Sequence, residues 1–344
     1  GIMVKIVTGD NSLTACEVAR QIGLVDDAAS ESACMAAPDF SSLSKEEAVK
    51  AAPGVAIMSR SHSLDKLNFV KALQEGGHVV AVTGDGTNDA PALNHANVGL
   101  VMGQTGTALA REASDIVLLD DSFTSIVNAV MWGRSLYQNI QKFILFQLTI
   151  NVAALGIALL GPFIGVKLPL TVTQMLWINL IMDTFAALAL ATEPPSWEVM
   201  KRPPRKPADF IVTGQMAKNI FGVSGIFLVF FIGFLLFIGR DGVVTPYELT
   251  LFFSTFVMLQ FWNLFNARTL GHTASAFSGL LKNMGLVTIA LTILIGQIIF
   301  VQVGGDFFRT VPLSLTHWFV IIAGTSLVLW VGEAIRYVRR LRVQ

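Results

Sequence analysis

Cysteine, tyrosine and charge are scarce in this chain of 344 residues: there are two cysteines and three tyrosines, and charged side chains make up 14%. Cys16 and Cys34 are too few for a four-cysteine metal site or a disulfide framework. Lacking metal-ligand spacing, they read most simply as reduced thiols in a cytosolic setting. No charged-then-apolar leader precedes the first strand. The opening Gly1-Ile2-Met3 goes straight into that strand, as if the chain began partway through a larger protein. Internal repeats are absent too, which removes the solenoids and propellers. What is abundant is apolar: 53% hydrophobic residues and a mean hydropathy of +0.61 exclude disorder, collagen and coiled coil, and place the chain on the membrane side of the usual ranges.

The formal net charge of zero conceals an asymmetry. Residues 1–142 carry 16 Asp and Glu against 10 Lys and Arg, whereas residues 143–344 carry 8 against 14. Two parts of different character meet near residue 142. A nucleic-acid binder needs a basic folded surface, and the soluble part here is acidic, so no nucleic-acid partner is expected.

The first 120 residues alternate short apolar runs with helical stretches. Val4–Val7, Val55–Met58, His78–Val82, Val98–Met102 and Ile116–Leu119 read as strands; helices are expected from Asp10 through Arg20 and over Leu64–Glu75. Strands alternating with helices imply βαβ units and a mostly parallel sheet. Residues 26–52, rich in Ala, Ser and acidic side chains, read as a surface insertion. From Ser122 a helical pattern with a polar face (Asn128, Arg134, Gln138, Lys142) runs unbroken into an apolar stretch, as one helix leaving water for lipid would. Six apolar runs follow, at about 143–160, 170–192, 219–238, 249–266, 284–303 and 314–332, each near the ~20 residues that cross a bilayer. The expected organisation is a soluble domain over 1–121, a stalk helix over 122–142, and a six-span membrane domain over 143–344 ending in a short basic tail. Eleven Lys and Arg flank the spans on the side of the soluble domain and C-terminus, and only Lys167, Arg240 and Arg309 flank the other. The Lys/Arg bias puts that soluble domain and the C-terminus in the cytosol.

The strongest motif is Thr83-Gly84-Asp85-Gly86-Thr87-Asn88-Asp89-Ala90-Pro91-Ala92-Leu93, directly after the third strand. In open parallel sheets the ligand crevice lies beyond the carboxyl ends of the strands, within reach of Asp85 and Asp89. Two carboxylates, with Asn88 as a neutral oxygen donor and flanking glycines, suit Mg²⁺, which takes one or two carboxylates plus phosphate and water. The competing reading is a polar turn that caps a helix. Thr8-Gly9-Asp10 repeats the pattern after the first strand, and Lys66, at the head of a helix, could meet a phosphate as a point charge or be a solvated surface lysine.

These residues resemble the P-type cation-transporting ATPases, specifically the plasma-membrane-type (type IIB) calcium pumps, and the resemblance runs through all six spans. TGDGTNDAPAL is similar to the hinge signature of that family's haloacid-dehalogenase-like phosphorylation domain. Val7–Asn11 looks like its phosphoryl-contacting loop, Arg60 and Lys66 match its basic pair, and Gly103–Asp115 resembles its following Gly-rich segment. The resemblance implies a partial haloacid-dehalogenase-like α/β domain followed by a six-helix bundle. The family usually has Pro at the place of Ser63 and Lys at that of Arg111. The Asp-Lys-Thr-Gly-Thr string of the phosphorylated aspartate, the nucleotide-binding domain that holds ATP, and the first four spans do not occur here. The chain therefore looks like the C-terminal third of a pump, inactive alone, with the rest of the pump as its partner and membrane lipid as its surroundings.

Ionisable residues within spans are functional hypotheses by default, and Asp183 is the only carboxylate deep inside a run. Asn179 lies one turn earlier on the same helix face; Asn151 and Gln260 could add oxygens for a hard cation such as Ca²⁺. Interhelical hydrogen bonding is the alternative for the three amides. The resemblance places Asn179–Asp183 in the family's sixth span and Asn151 in its fifth. Two-ion pumps have a Glu where Ala154 stands and a Thr where Met182 stands, which implies one Ca²⁺ per cycle. The short tail implies that the long C-terminal calmodulin-binding segment of animal pumps is absent. On this reading ATP phosphorylates an upstream aspartate, with Mg²⁺ near Asp85, and calcium is exported from the cytosol. A pump for Mn²⁺, Na⁺ or H⁺, and a non-catalytic membrane-anchored binding or regulatory protein, are the two alternatives.

Overall fold

The computed structural model describes residues 1–25, 33–166, 168–206, 208–270 and 274–343, with the side chains of 182, 183, 282 and 343 left aside. Two compact units are present: residues 1–131 with 197–207, and residues 132–196 with 208–344.

Among the described residues, the first unit contains two three-stranded parallel sheets. In one, β1 (Ile6–Val7) and β2 (Cys34–Ala36) flank β3 (Ile57–Ser59); in the other, β4 (Ala81–Gly84) and β6 (Ile116–Leu118) flank β5 (Val98–Met102). Helix α1 (Ser12–Gln21) starts where Asn11 can cap it, the Asn11 Oδ1 accepting from Thr14 N at 2.9 Å. Its apolar face, Ala15 and Ala19, packs on Ile57 of β3. Lys5 reaches from β1 to the carbonyls of Ala52, Pro53 and Val55, and burial pushes its ammonium below the usual lysine range.

The stretch expected as a surface insertion is part of this unit's framework. Beyond residues 26–32, which lie outside the described residues, it supplies strand β2, helix α2 (Ala37–Ser41) and helix α3 (Lys45–Ala51), and it buries Ala37, Phe40 and Ala52 against Phe69 and Leu73. Its polar composition hid this because three short elements bury few side chains each. Helix α4 (Ser63–Glu75) provides Phe69, Val70, Ala72 and Leu73 to the core, and the short helices α5 (Ala90–His95) and α6 (Ala108–Glu112) follow it. Most strands run shorter than the apolar strings that announced them, and β4 is displaced to Ala81–Gly84, closer to the acidic loop.

The reduced-thiol reading of the cysteines is corrected. Cys16 on α1 and Cys34 on β2 are bonded to each other, their Cα atoms 6.9 Å apart. Both elements pack on β3, which juxtaposes two residues 18 apart in sequence. Spacing alone does not show such an adjacency.

One helix, α7 (Phe123–Leu160), starts in the first unit and continues into the second without interruption. Among the described residues, six helices are long and apolar enough to cross a membrane, all falling on the six runs read from sequence. Their interior is packed mainly by α11 (Pro246–Arg268), of which 78% of the apolar stretch is buried against 22–39% in the other five. Phe231 of α10 (Gly214–Ile238) meets Phe252 and Phe256 with centroids 5.2 Å away in each case. In lipid, such van der Waals packing rather than expulsion of water holds helices together. The second span changes its hydrogen-bond pattern midway: α8 (Val172–Asn179) passes into a π-helix over Leu180–Ala186 and then into α9 (Ala187–Ala191). The last two spans are α12 (Met284–Val303) and the pair α13 (Leu315–Thr325) and α14 (Leu327–Val343).

Candidate functional site

In the first unit the loops after β1 and β4 carry the two Thr-Gly-Asp strings. Thr8 Oγ1 donates to Asp10 Oδ2 at 3.0 Å and accepts from Asp10 N at 3.2 Å, so the first loop folds onto itself. The Arg60 amide donates to Asp10 O at 2.8 Å, which fixes Arg60 in a left-handed conformation (φ 52°) at the end of β3. Its side chain is exposed and makes no contact with Lys66 among the described residues.

Lys66, one turn into α4, donates to Asp89 Oδ1 at 2.6 Å, with side-chain exposures of 20% and 13%. The other carboxylate oxygen of Asp89 accepts from Gly86 N at 3.2 Å. Gly84 is required here by close approach: a Cβ on it would lie 2.5 Å from Asp89 Cβ and 2.8 Å from Oδ2. Ser63 Oγ donates to Asn88 Oδ1 at 3.2 Å, a second tie between the head of α4 and the loop after β4. Sequence reasoning passed over Ser63 and treated Gly84 only as a turn residue; the departure from Pro at position 63 was the available signal. Asp85 is exposed; its carbonyl accepts from Thr107 N at 2.9 Å, while its carboxylate has no hydrogen bond among the described residues. The structure thus joins Lys66 to Asp89 and Ser63 to Asn88, and leaves Asp85 facing outward. The donors suit Mg²⁺, since a free carboxylate and a second one held by only two hydrogen bonds are hard oxygen ligands beside a cation that could meet phosphate.

In the second unit, Gln260 is fully buried on α11, and neither its Oε1 nor its Nε2 has a partner among the described residues. Buried amides are nearly always hydrogen-bonded, so this one stands out. Asn151 and Asn179 are exposed on the bundle and form no hydrogen bond among the described residues, either with each other or with Gln260. The side chain of Asp183 lies outside the described residues; its backbone sits in the π-helix, whose i→i+5 pattern frequently marks functional sites. The start of that span is held by Trp177, which donates to Gln297 Oε1 at 2.8 Å and stacks on Phe300 with centroids 4.2 Å apart.

A polar belt not foreseen from sequence lies at the end of the bundle where α9, α11 and the start of α12 meet. Arg268 and Arg336, counted in the sequence as flanking charges, are buried and paired, Arg268 with Glu193 at 2.5 Å and Arg336 with Glu333 at 2.9 Å. Glu193 and Glu333 stand just outside the apolar runs, and nothing in their local sequence announces burial.

Parallel sheets with acidic loops at their carboxyl ends, in one chain with six helices among the described residues that are long and apolar enough to cross a membrane, define a multi-pass membrane protein that carries an α/β unit. Residues 167–338 match the family described as cation transporting ATPase, C-terminus, and the chain belongs to that family. It is 42% identical over 344 residues to calcium-transporting ATPase 8, plasma membrane-type, of Arabidopsis thaliana. It is 40% identical over 343 residues to the probable calcium-transporting ATPase 8, plasma membrane-type, of Oryza sativa subsp. japonica. With plasma membrane calcium-transporting ATPase 4 of Bos taurus it shares 41% identity over 360 aligned positions. These alignments take in 96–98% of this chain but 30–33% of each relative, so the chain spans about a third of their length.

Proposed function

We propose that this chain forms the later part of the phosphorylation domain and the last six spans of an ATP-driven calcium pump. The observation that carries the reading is the amide of Gln260, fully buried and unpartnered among the described residues, in a bundle whose second span is π-helical around Asp183. A hydrogen-bonding group left unsatisfied in an apolar interior costs about 1–3 kcal/mol, and a cation that it ligates would offset that cost. Asn151 and Asn179, exposed here, would face the same cation, with further oxygens from spans outside this chain. Ala154 and Met182, where two-ion pumps carry oxygens, favour one Ca²⁺ per cycle.

In the soluble unit the proposed fold is haloacid-dehalogenase-like. Among the described residues β1 and β4 each pair on one side only, with β3 and β5. A further parallel strand between those open edges would bring its own C-terminal loop beside Thr8–Asp10 and Asp85–Asp89. That is where an upstream phosphorylated aspartate fits. Thr8, Gly9 and Asp10 would then hold the phosphoryl group through hydroxyl and backbone donors, and Lys66 would neutralise its charge. Asp85 and Asp89, with Asn88 as an oriented neutral neighbour, would hold Mg²⁺. Mg²⁺, when bound, neutralises charge that builds on the transferring oxygens, and electrostatic positioning supplies most catalysis of phosphoryl transfer. Arg60, exposed, would be available to nucleotide phosphate. The Lys and Arg bias supports a cytosolic position for the soluble unit and C-terminus, and Phe123–Leu160, the helix shared by both units, would carry changes between the two sites.

The test is a chimera in which this chain replaces the matching third of the Arabidopsis relative. Calcium-dependent phosphorylation by ATP and ATP-driven calcium uptake into vesicles are expected, with Asp183→Asn abolishing both and Asp85→Asn abolishing phosphorylation. Phosphorylation that follows Mn²⁺, Na⁺ or H⁺ instead of calcium, or survives Asp183→Asn, would overturn the reading. Phosphorylation of the chimera by inorganic phosphate, the reverse of its hydrolysis, reports whether the soluble part has assembled.

A further inference from the structure

Four spans converge on Glu193. Its Oε1 accepts from Arg268 Nε at 2.5 Å, at the end of α11, and from Asn283 Nδ2 at 3.1 Å, at the start of α12. Its backbone carbonyl accepts from Asn139 Nδ2 at 3.1 Å on α7, and Glu193 itself closes the span made of α8, the π-helix and α9. Arg268 commits its other nitrogens to Ala276 O at 2.7 Å and Ser278 O at 3.0 Å; Asn283 also donates to Thr192 O at 3.3 Å and caps α12 through Leu286 N at 3.0 Å. The ion pair is buried, with side-chain exposures of 8% for Arg268 and 10% for Glu193.

A buried ion pair is a poor way to gain stability, because desolvation offsets attraction and a well-packed apolar pair does as well or better. What a fully hydrogen-bonded pair does supply is geometry. Glu193 lies ten residues beyond Asp183 on one span, and Arg268 eight beyond Gln260 on another. At 1.5 Å per residue these are about 15 Å and 12 Å along the two helices. Both spans run in the same direction, so the pair fixes the axial register of the carboxylate span against the amide span at nearly equal depth. Between the clasp and Trp177, held by Gln297 and Phe300, the one irregular stretch is the π-helix Leu180–Ala186. The stretch that carries Asp183 therefore lies between two held points.

We propose that Glu193, through its pair with Arg268, is a positioning residue for the ion site: it pins the second and fourth spans so that the π-helix is the only part free to bring Asp183 toward Gln260. The inference rests on the pump reading above. In the chimera, Glu193→Gln should weaken the apparent calcium affinity (KM) about 5- to 10-fold, with kcat within about 2-fold and the inorganic-phosphate reaction intact. The Glu193→Gln/Arg268→Met pair should be no worse in KM than the weaker-binding single variant, since both changes remove one tie. In the 344-residue chain in lipid nanodiscs, Glu193→Gln should speed hydrogen exchange about 5-fold at the amides of 187–192 and at Leu286, a measurement that needs no turnover.

An unchanged KM, additive KM effects in the double variant, or a parallel fall of kcat, KM and phosphoenzyme yield would overturn the positioning role, as would unchanged exchange. The two readings fail differently. Calcium-dependent phosphorylation that survives Asp183→Asn removes the ion site itself; its loss in Asp183→Asn with an unmoved KM in Glu193→Gln removes the clasp alone.

Discussion

Lys66 Nζ lies 2.6 Å from Asp89 Oδ1, so the helix after β3 and the loop after β4 are held together by one charge-assisted hydrogen bond in a partly buried setting. Such a bond is worth about 1.5–3 kcal/mol at most, and less where water screens it. Lys66→Met and Asp89→Asn should each loosen the loop, and the double variant should cost less than the two singles summed. Native-state hydrogen exchange at Gly86 and Asp89 in nanodiscs measures this; strict additivity would show that the two residues do not interact.

Gly84 is the tightest point of the same loop, because a Cβ there would collide with the Asp89 side chain. Gly84→Ala is expected to lower the stability of this unit by about 1–3 kcal/mol, as overpacking does, and to displace Asp89 from Lys66. In the chimera, phosphorylation by ATP should fall at least about tenfold. A fully active Gly84→Ala protein would mean that the Asp89 position seen here is not the working one.

Gln260→Leu separates stability from function. Removing an unpartnered buried amide should leave thermal stability unchanged or raise it by about 1–3 kcal/mol, while apparent calcium affinity in the chimera falls. A variant that is destabilised instead would show that the amide has a structural partner. A stable variant with normal affinity would remove Gln260 from the ion site.

The bond between Cys16 and Cys34 closes a loop of 18 residues, which on the chain-entropy account stabilises the fold by about 3 kcal/mol. Non-reducing digestion should yield the linked peptide, and Cys34→Ser should lower the melting point about as much as added reductant does. Full alkylation of both thiols without reductant would return the pair to the reduced state read from sequence.

Glu17 supplies a pH test. Hydrogen bonds from Arg20 and then Gln21 lower its carboxyl from 4.5 to about 2. A depressed folded value means that its contribution is fully present above pH 4.5 and is lost as pH falls toward 2. Carboxyl NMR should give a midpoint near 2, and Glu17→Gln should remove the acid-induced fraying of α1 over that window. A midpoint near 4.5 would show that the Arg20 contact does not persist in solution.

The six spans, the parallel strands and the acidic loop after β4 were legible because each rests on a local pattern: apolar run length, alternation, and turn chemistry beside a strand. Asn11, Ser44 and Thr171 cap helices by accepting from backbone N–H groups three residues on, a local pattern that went unread. The helix content of 33–52 was missed because short elements with two or three buried residues leave a weak pattern. The pairing of Arg268 and Arg336, counted only as flanking charges, was not legible because the same residue type, at the same distance from an apolar run, can either snorkel to water or pair inside.

By itself the sequence determined what could be dissolved in lipid, which strands would run parallel, and which residue types stand at the loops, all consequences of near-neighbour periodicity. Only the tertiary structure decided which distant residues meet: Cys16 with Cys34, Lys66 with Asp89, Glu193 with Arg268. It also decided that Gln260 is buried without a partner among the described residues, because burial and partnership depend on where other elements pack, and no residue's neighbours in sequence record that.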